Sequence, residues 1–566
     1  MRLEETTPLN LNREQFIEKI TPKFPLIPEK DKEPIDILCK LYEKLLNLQK
    51  QGINGIWARI IKNAFAPLFA GEFDYIAGNP PWVNWESLPE NYRRELVPLW
   101  SEKYGLFPHK GFESILGKAK DDISILMTYV SLHKYLKSGG KLGFLITQSV
   151  FKTSGAGQGF RKFKLPDGKP IQVLHVDDMV ELNPFEGASN RTSVIILQKG
   201  RPTKYPMPSY LYWKKIIKGK SIDLRSSLKD VMEITERKQF SAEPVNENDL
   251  TSSWITGRPR AIKGIKKVLG QSDYVAHAGV YSGGTNGVYW VDIINKRPDG
   301  LVVISNLTEG AKIKVESVQA TIESNLLYPL LRGRDVKKWK AKPSAYILIT
   351  HLPGMRLKAI TEDEMKARYS KTYIYLKRFE GVLRKRAAFK RYFTKKDGGH
   401  IVETAPFYSM FDIGDYTFTP YKVVWPNIAS KIVSAVISTK ENKAILPQHI
   451  VTLVACESSK EAHYICALMN SKIVNFALQS YSMKGGKSFG DPHVLQNIRI
   501  PKFNPQNSLH LKLAELSERA HQAAEKDNQE EINKIEEKID QCAANLWSLT
   551  DRELGDIKDS LKELNE

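Results

Sequence analysis

Residues 73–78, Phe-Asp-Tyr-Ile-Ala-Gly, are a short apolar run, and Asn79-Pro80-Pro81-Trp82 follow at once. Two successive prolines fix φ twice and remove two backbone donors, so a strand entering them must stop there. Pro80 also holds Asn79 in an extended conformation. The run reads as a β-strand whose C-terminal end carries a carboxamide, two rigid carbonyls and an indole. Further apolar runs bounded by Gly, Pro or charge lie at 141–147, 171–177 and 192–198. Between the first two strands, "DDISILMTYVSLHKYLKSGG" has a helical pattern, with Gly139–Gly140 expected to end the helix. Strands alternating with helices predict an α/β layer with a parallel sheet.

In such sheets, ligands sit beyond the carboxyl ends of the strands. There the Asn79 side chain and the Pro80 and Pro81 carbonyls offer acceptors to an exocyclic amine. Trp82 offers a flat surface to the ring that bears it. The set suits an adenine taken out of a duplex. The whole chain carries 84 Lys and Arg against 64 Asp and Glu, a net charge of +20. That surplus points to a polyanionic partner. Four scattered cysteines, Cys39, Cys456, Cys466 and Cys542, have neither metal-site nor disulfide spacing and fit a reducing cytoplasm. His109 and His133 have no metal-ligand spacing, so no metal is expected. No apolar run approaches the ~18 residues that span a bilayer, and the polar start "MRLEETTPLN" is no signal peptide.

Composition divides the chain into a helical segment 1–72, an α/β part 73–200, a polar linker 201–260, a basic strand-rich part 261–505 and amphipathic helices 506–566.

The Asn-Pro-Pro-Trp tetrapeptide resembles the catalytic motif of S-adenosylmethionine-dependent amino-group methyltransferases, above all those acting on adenine N6 in DNA. "LKSGGKLGFLITQSVF" is similar to the helix-turn-strand that follows this motif. "ELNPFEGASNRTSVIILQKG" is similar to the segment whose aromatic residue, here Phe185, packs on the flipped base. "LYPLLRGRDVKKW" and "ALMNSKIVNFALQSYSMKGGKSFGDPHVLQNIRIP" resemble the target-recognition domain of type IIG-like restriction–modification enzymes, and "EEKIDQCAANLWSLTDREL" resembles their helical tail. The resemblance implies an α/β fold: a partial Rossmann-like class I sheet (strands 4–7), an α+β target-recognition domain at 261–505 and C-terminal helices. It implies Asn79, Pro80, Pro81, Trp82 and Phe185 as catalytic residues, S-adenosylmethionine as cofactor and double-stranded DNA as partner.

The family's glycine loop for the cofactor precedes the Asn-Pro-Pro strand, with an acidic residue ending the next strand. Residues 1–72 show neither, and about 30 residues are needed for each strand-helix-strand unit. The expectation is therefore a methyltransferase half with an open, apolar edge on strand 73–78, completed by a second polypeptide that carries strands 1–3. A decayed gene stays open as an alternative, as does a non-catalytic DNA-binding specificity subunit. Glutamine or RNA-guanine methylation through the same motif is a third alternative. No nuclease signature stands out. "SGAGQGF" at 154–160 follows the wrong strand for a dinucleotide loop and is expected near the base or DNA, while "KGGKSFG" at 484–490 lacks the upstream Gly of a P-loop.

The candidate DNA contacts are Arg332, Arg334, Lys337 and Lys338, then Arg384, Lys385 and Arg386, then Lys484 and Lys487 in the glycine-rich turn. Lys and Arg neutralise phosphates, and Arg also reads guanine edges.

Overall fold

The structure, a computed structural model, describes every residue except 1–8, 23–31, 53–59, 61–62, 64–65, 67–69, 108–120, 154–156, 183–184, 186–190, 218–221, 224, 356–357, 483–488 and 566. His109, Lys484 and Lys487 lie outside the described residues, as does most of the 55–71 stretch of the expected helical segment 1–72.

Helices α1 (Arg13–Ile20) and α2 (Lys32–Lys50) come first. Asn12 and Gln15 form a capping box that starts α1. The two helices share a small core in which Phe16 stacks on Tyr42 with ring centroids 4.1 Å apart.

Strand β1 (Phe73–Gly78) opens a six-stranded sheet with β2 (Leu136–Thr147), β3 (Ile171–Asp178), β4 (Thr192–Lys199), β5 (Tyr210–Lys215) and β6 (Thr235–Gln239), in the order β1-β2-β4-β3-β5-β6. The four strands expected from the sequence lie side by side in it. Their directions are mixed rather than all parallel: β1 runs parallel to β2, but β4 runs antiparallel to both β2 and β3. The 179–191 connection joins β3 to its spatial neighbour β4, and adjacent antiparallel strands need no helical crossover. The polar stretch expected as a linker supplies β5 and β6, so it extends this sheet; β3 pairs parallel with β5, and β5 antiparallel with β6.

Helix α3 (Glu90–Val97) precedes α4 (Ile123–Lys134), the helix packed beside β2. α4 stops at Lys134, and Gly139–Gly140 lie inside β2 rather than at the helix end. There the register with β1 slips, from Phe73 opposite Leu136 to Tyr75 opposite Lys141. Gly139 has φ +81°, and a Cβ on Gly140 would stand 3.0 Å from the Asp74 carbonyl oxygen. The glycines make a bulge, which the chain needs to keep β2 against β1.

The later part holds a second six-stranded sheet (strands 319–323, 301–306, 290–296, 345–348, 327–331 and 446–447) and a four-stranded one (435–437, 421–426, 451–456 and 276–278). A hairpin, β7 (Ser241–Pro244) and β8 (Trp254–Gly257), links the first sheet to α6 (Pro259–Ile265). Helices α7 (Ser459–Asn470), α8 (Lys472–Tyr481), α9 (Ser508–Glu525), α10 (Gln529–Leu546) and α11 (Asp551–Asn565) bury Leu468, Phe476, Leu516, Ile535, Ile539 and Ile557 in one core with α6. The amphipathic spacing of 506–566 thus seats these helices on the body of the protein.

Candidate active site

β1 delivers Asn79 to the end of the sheet. Asn79 and Pro81 are exposed, Pro80 is buried and Trp82 is half-buried. The Trp82 indole N–H donates to the Leu145 carbonyl on β2 at 3.2 Å, which sets the plane of the ring. Phe185, 103 positions later, meets it with ring centroids 5.3 Å apart at 79°, an edge-to-face contact. The two aromatics singled out in the sequence therefore stand together, with Trp82 three residues along the chain from exposed Asn79.

The backbone after the motif is stapled to the start of α4. Ile123 N–H donates to the Val83 carbonyl at 2.9 Å, and Trp85 N–H donates to the Asp121 carbonyl at 3.0 Å. Asp122 caps α4 by accepting from Ser124 N–H at 3.1 Å, while its other oxygen accepts from the Thr147 hydroxyl at the end of β2, at 2.7 Å. Asp121 Oδ1 accepts from Gly157 N–H at 2.6 Å. Its Oδ2 is buried and has no hydrogen-bond partner among the described residues. Burial pushes the Asp121 carboxyl up to about 7, against the opposing pull of the Gly157 N–H. Gly157 belongs to the "SGAGQGF" stretch, which thus touches the base of the site through a backbone N–H.

A second buried carboxylate anchors the segment that carries Phe185. Asp178 ends β3. Its Oδ2 accepts from Gln148 Nε2 at 2.7 Å and from the Tyr210 hydroxyl at 2.6 Å, and its Oδ1 accepts from Val180 N–H at 3.2 Å. Burial raises its pKa. At the far end of the same segment, Gln148 N–H donates to the Arg191 carbonyl at 2.8 Å. Lys152, on the short helix α5 (Ser149–Lys152), is buried too. Its ammonium donates to Thr256 Oγ1 at 2.5 Å, to the Trp254 carbonyl at 3.3 Å and to the Ser480 carbonyl on α8. Burial pushes it down to about 7. Sequence reasoning missed Asp121, Asp122, Gln148, Lys152 and Asp178. The signal was present for the carboxylates: "DD" stands before one helix and at the end of one strand.

The donor set for S-adenosylmethionine is incomplete among the described residues. Asn79 is in place, but the described part of 9–72 holds α1 and α2 and no strand end that could bring glycine N–H groups or a carboxylate to the cofactor. No cluster of three His, Cys, Asp or Glu able to hold a metal occurs among the described residues, and no described helix is long and apolar enough to cross a membrane.

The expected DNA contacts divide. Arg334, Lys337 and Lys385 are exposed. Arg332 is half-buried, donates to Ser344 Oγ at 2.6 Å and pairs with Asp335 at 3.6 Å. Lys338 pairs with Glu536 on α10 at 2.7 Å, and Arg384 pairs with Glu380 at 2.8 Å and with Glu403. Arg386 is a correction. It is 1% exposed, donates to the Phe407 and Ser282 carbonyls at 2.6 and 3.1 Å, and lies over the Tyr289, Phe389 and Phe411 rings, so it holds the core and meets no phosphate.

The Asn-Pro-Pro-Trp strand end and the aromatic facing Trp82 lie on one mixed sheet. Residues 29–180 match the Eco57I restriction-modification methylase family. Over 155 residues the chain is 27% identical to the type II methyltransferase M.NspV of Nostoc sp. (strain ATCC 29411 / PCC 7524), a span that covers 27% of this chain and 29% of that one. Among solved structures, the type IIL restriction-modification enzyme MmeI, in complex with DNA, superposes with a TM-score of 0.50 at 10% identity, over 87% of this chain and 57% of that one. The type IIG restriction endonuclease BpuSI matches at a TM-score of 0.28 and 12% identity, over 88% of this chain and 54% of that one. The chain resembles the type II restriction–modification methyltransferases, and it spans well under two thirds of each of these relatives.

Proposed function

We propose that this chain carries the base-binding half of an S-adenosylmethionine-dependent DNA methyltransferase acting on adenine N6 in a restriction–modification or phage-defence system. The observation that carries the proposal is the Trp82–Phe185 contact, with Trp82 three residues along the chain from exposed Asn79 at the end of β1. The Asn79 carboxamide oxygen and the Pro80 carbonyl accept hydrogen bonds from the adenine amino group, which holds the nitrogen lone pair toward the incoming methyl. Trp82 and Phe185 grip the ring. The chain contributes orientation and electrostatics and no strong base. The cofactor, when bound, supplies an electrophilic methyl group.

The residues that would hold the cofactor enter at the open side of β1, from strands that a second polypeptide supplies. The exposure of that edge supports this reading, and double-stranded DNA is the matching partner for the basic later part. The incomplete cofactor set also favours a second reading, a DNA-binding specificity chain without catalysis.

Titration calorimetry separates the two. S-adenosylmethionine is titrated into the chain alone and into the chain mixed with the product of the adjacent upstream reading frame, and labelled methyl transfer to adenine in duplex DNA is then followed. Cofactor binding and transfer in the mixture alone are expected. Binding by neither preparation, with DNA still bound, would leave the specificity chain.

A further inference from the structure

The sheet strands 394–397 and 400–403 form a hairpin that pairs with no other strand. Its turn, Gly398–Gly399, has φ +53° and +86°, both in the left-handed region, as a two-residue hairpin turn requires. Thr394 is half-buried and the other seven strand residues are exposed. Cross-strand partners share a face, so Lys396 stands with Ile401 on one side and Lys395 with Val402 on the other. Ile401 is 72% exposed and Val402 40%. A two-stranded ribbon with neither face packed is marginal in water, and its aliphatic side chains gain nothing there.

The base of the hairpin is fixed. Phe393 stacks on Phe411 with centroids 5.1 Å apart, Thr404 N–H donates to the Phe393 carbonyl at 2.8 Å, and Glu403 is held by Arg384. The surroundings are cationic. Lys390, Arg391, Lys395 and Lys396 are exposed, and among the described residues only Lys395 of these four has an ion-pair partner, Asp397 at 3.9 Å. Glu403, the hairpin's other acid, is already occupied by Arg384.

We infer that this hairpin inserts into the major groove of duplex DNA, resting on the DNA reading above. The major groove admits a two-stranded ribbon. Lys390, Arg391, Lys395 and Lys396 reach the flanking phosphates, and Ile401 and Val402 lie against base edges, where thymine methyls offer apolar contact.

The test uses the full chain and a fluorescein-labelled mixed-sequence duplex, with binding followed by anisotropy over a salt series. Three proteins are compared: wild type, the fourfold variant Lys390→Ala/Arg391→Ala/Lys395→Ala/Lys396→Ala, and a variant with 394–403 replaced by Asn-Gly. The Phe393–Thr404 hydrogen bond brings the ends together, so the short turn closes the gap, and a thermal melt checks folding. Removing four phosphate contacts is expected to flatten the slope of log K against log salt by about 3.6, roughly 0.9 per contact. Methyl green, which occupies the major groove, is expected to displace the wild type, and distamycin, which occupies the minor groove, is not. Unchanged affinity and slope in both folded variants would overturn the inference and leave DNA binding standing. Displacement by distamycin alone would overturn the groove assignment. Loss of a co-purifying protein from the variants with DNA binding intact would assign the hairpin to a protein partner instead. Absence of DNA binding by the wild type would overturn the functional reading as well.

Discussion

The first sheet has two edges, and they are finished in different ways. At β6, the last helix ties the edge down. Glu563 on α11 accepts from Lys238 Nζ at 2.6 Å and from Arg258 Nε at 2.7 Å, its carbonyl accepts from Lys214 Nζ at 3.2 Å, and Leu564 packs on both neighbouring cores. At β1, Tyr75 is 75% exposed and Phe73 43%, and every β1 residue but Ile76 is exposed. Edges meant for solvent are shortened, charged or covered. The β1 edge has one exposed ion pair, Asp74–Lys137 at 2.9 Å, and two bare aromatic rings. The contrast teaches that, among the described residues, the side of the sheet remote from Asn79 is secured by the last helix while the side next to Asn79 is exposed.

Four changes break or sharpen that contrast. The largest effect is expected from Asn79→Ala in the completed enzyme. Losing a preorganised polar partner of the reacting group lowers the rate of labelled methyl transfer by about 10²–10³-fold, with the melting profile of the chain unchanged; a rate within a factor of two of wild type would remove Asn79 from the chemistry.

Next comes pH. The Asp121 carboxyl is raised from its ordinary 3.8 to about 7 by burial. Between those values the folded state holds a proton that the unfolded state has lost, so this group's contribution to stability falls as pH rises from about 4 to 7, by up to ~1.4 kcal/mol per pH unit. Urea unfolding at pH 5 and pH 8 is expected to show a larger loss for wild type than for Asp121→Asn. Parallel losses would mean that Asp121 ionises as an ordinary carboxylate.

At the secured edge, Glu563→Ala leaves Lys238 and Arg258 without their shared acceptor. A loss of about 1.5–3 kcal/mol in urea unfolding is expected. The smallest change in the isolated chain is Tyr75→Lys, within about 0.5 kcal/mol, because the ring touches mainly solvent. The same substitution puts a charge where a strand would pair. It is expected to weaken cofactor binding in the two-component mixture at least tenfold, as read by calorimetry, and equal binding would show that pairing does not use this edge.

The parts of this architecture that were legible in the sequence are those where a local rule has no competitor. Two prolines after an apolar run end a strand whatever the rest of the chain does, so β1 and its Asn79 were readable. The meeting of Trp82 with Phe185 was readable only through the family resemblance, since no local pattern joins residues so far apart. Strand direction was not readable, because an apolar run looks the same either way up. Gly139–Gly140 were expected to stop a helix and instead form a bulge; glycine supplies the unusual backbone in both cases, and the partner strand decides which one it serves. β6, Thr-Glu-Arg-Lys-Gln, has no apolar alternation because it lies at an edge, so its polar residues looked like a linker. The Arg384-Lys385-Arg386 run shows the limit for charge: three neighbouring cations become an ion pair, an exposed side chain and a core residue, according to where the backbone turns.

The hydrogen bond from Trp82 to Leu145 has a further consequence. An indole free to rotate would lose conformational entropy each time it captured a base, a cost of roughly 0.5–1.5 kcal/mol for an immobilised side chain. Here that freedom is already gone in the folded protein. In the base-binding role proposed for it, the ring is a template set by the fold, and its share of selectivity comes from shape present before any base arrives.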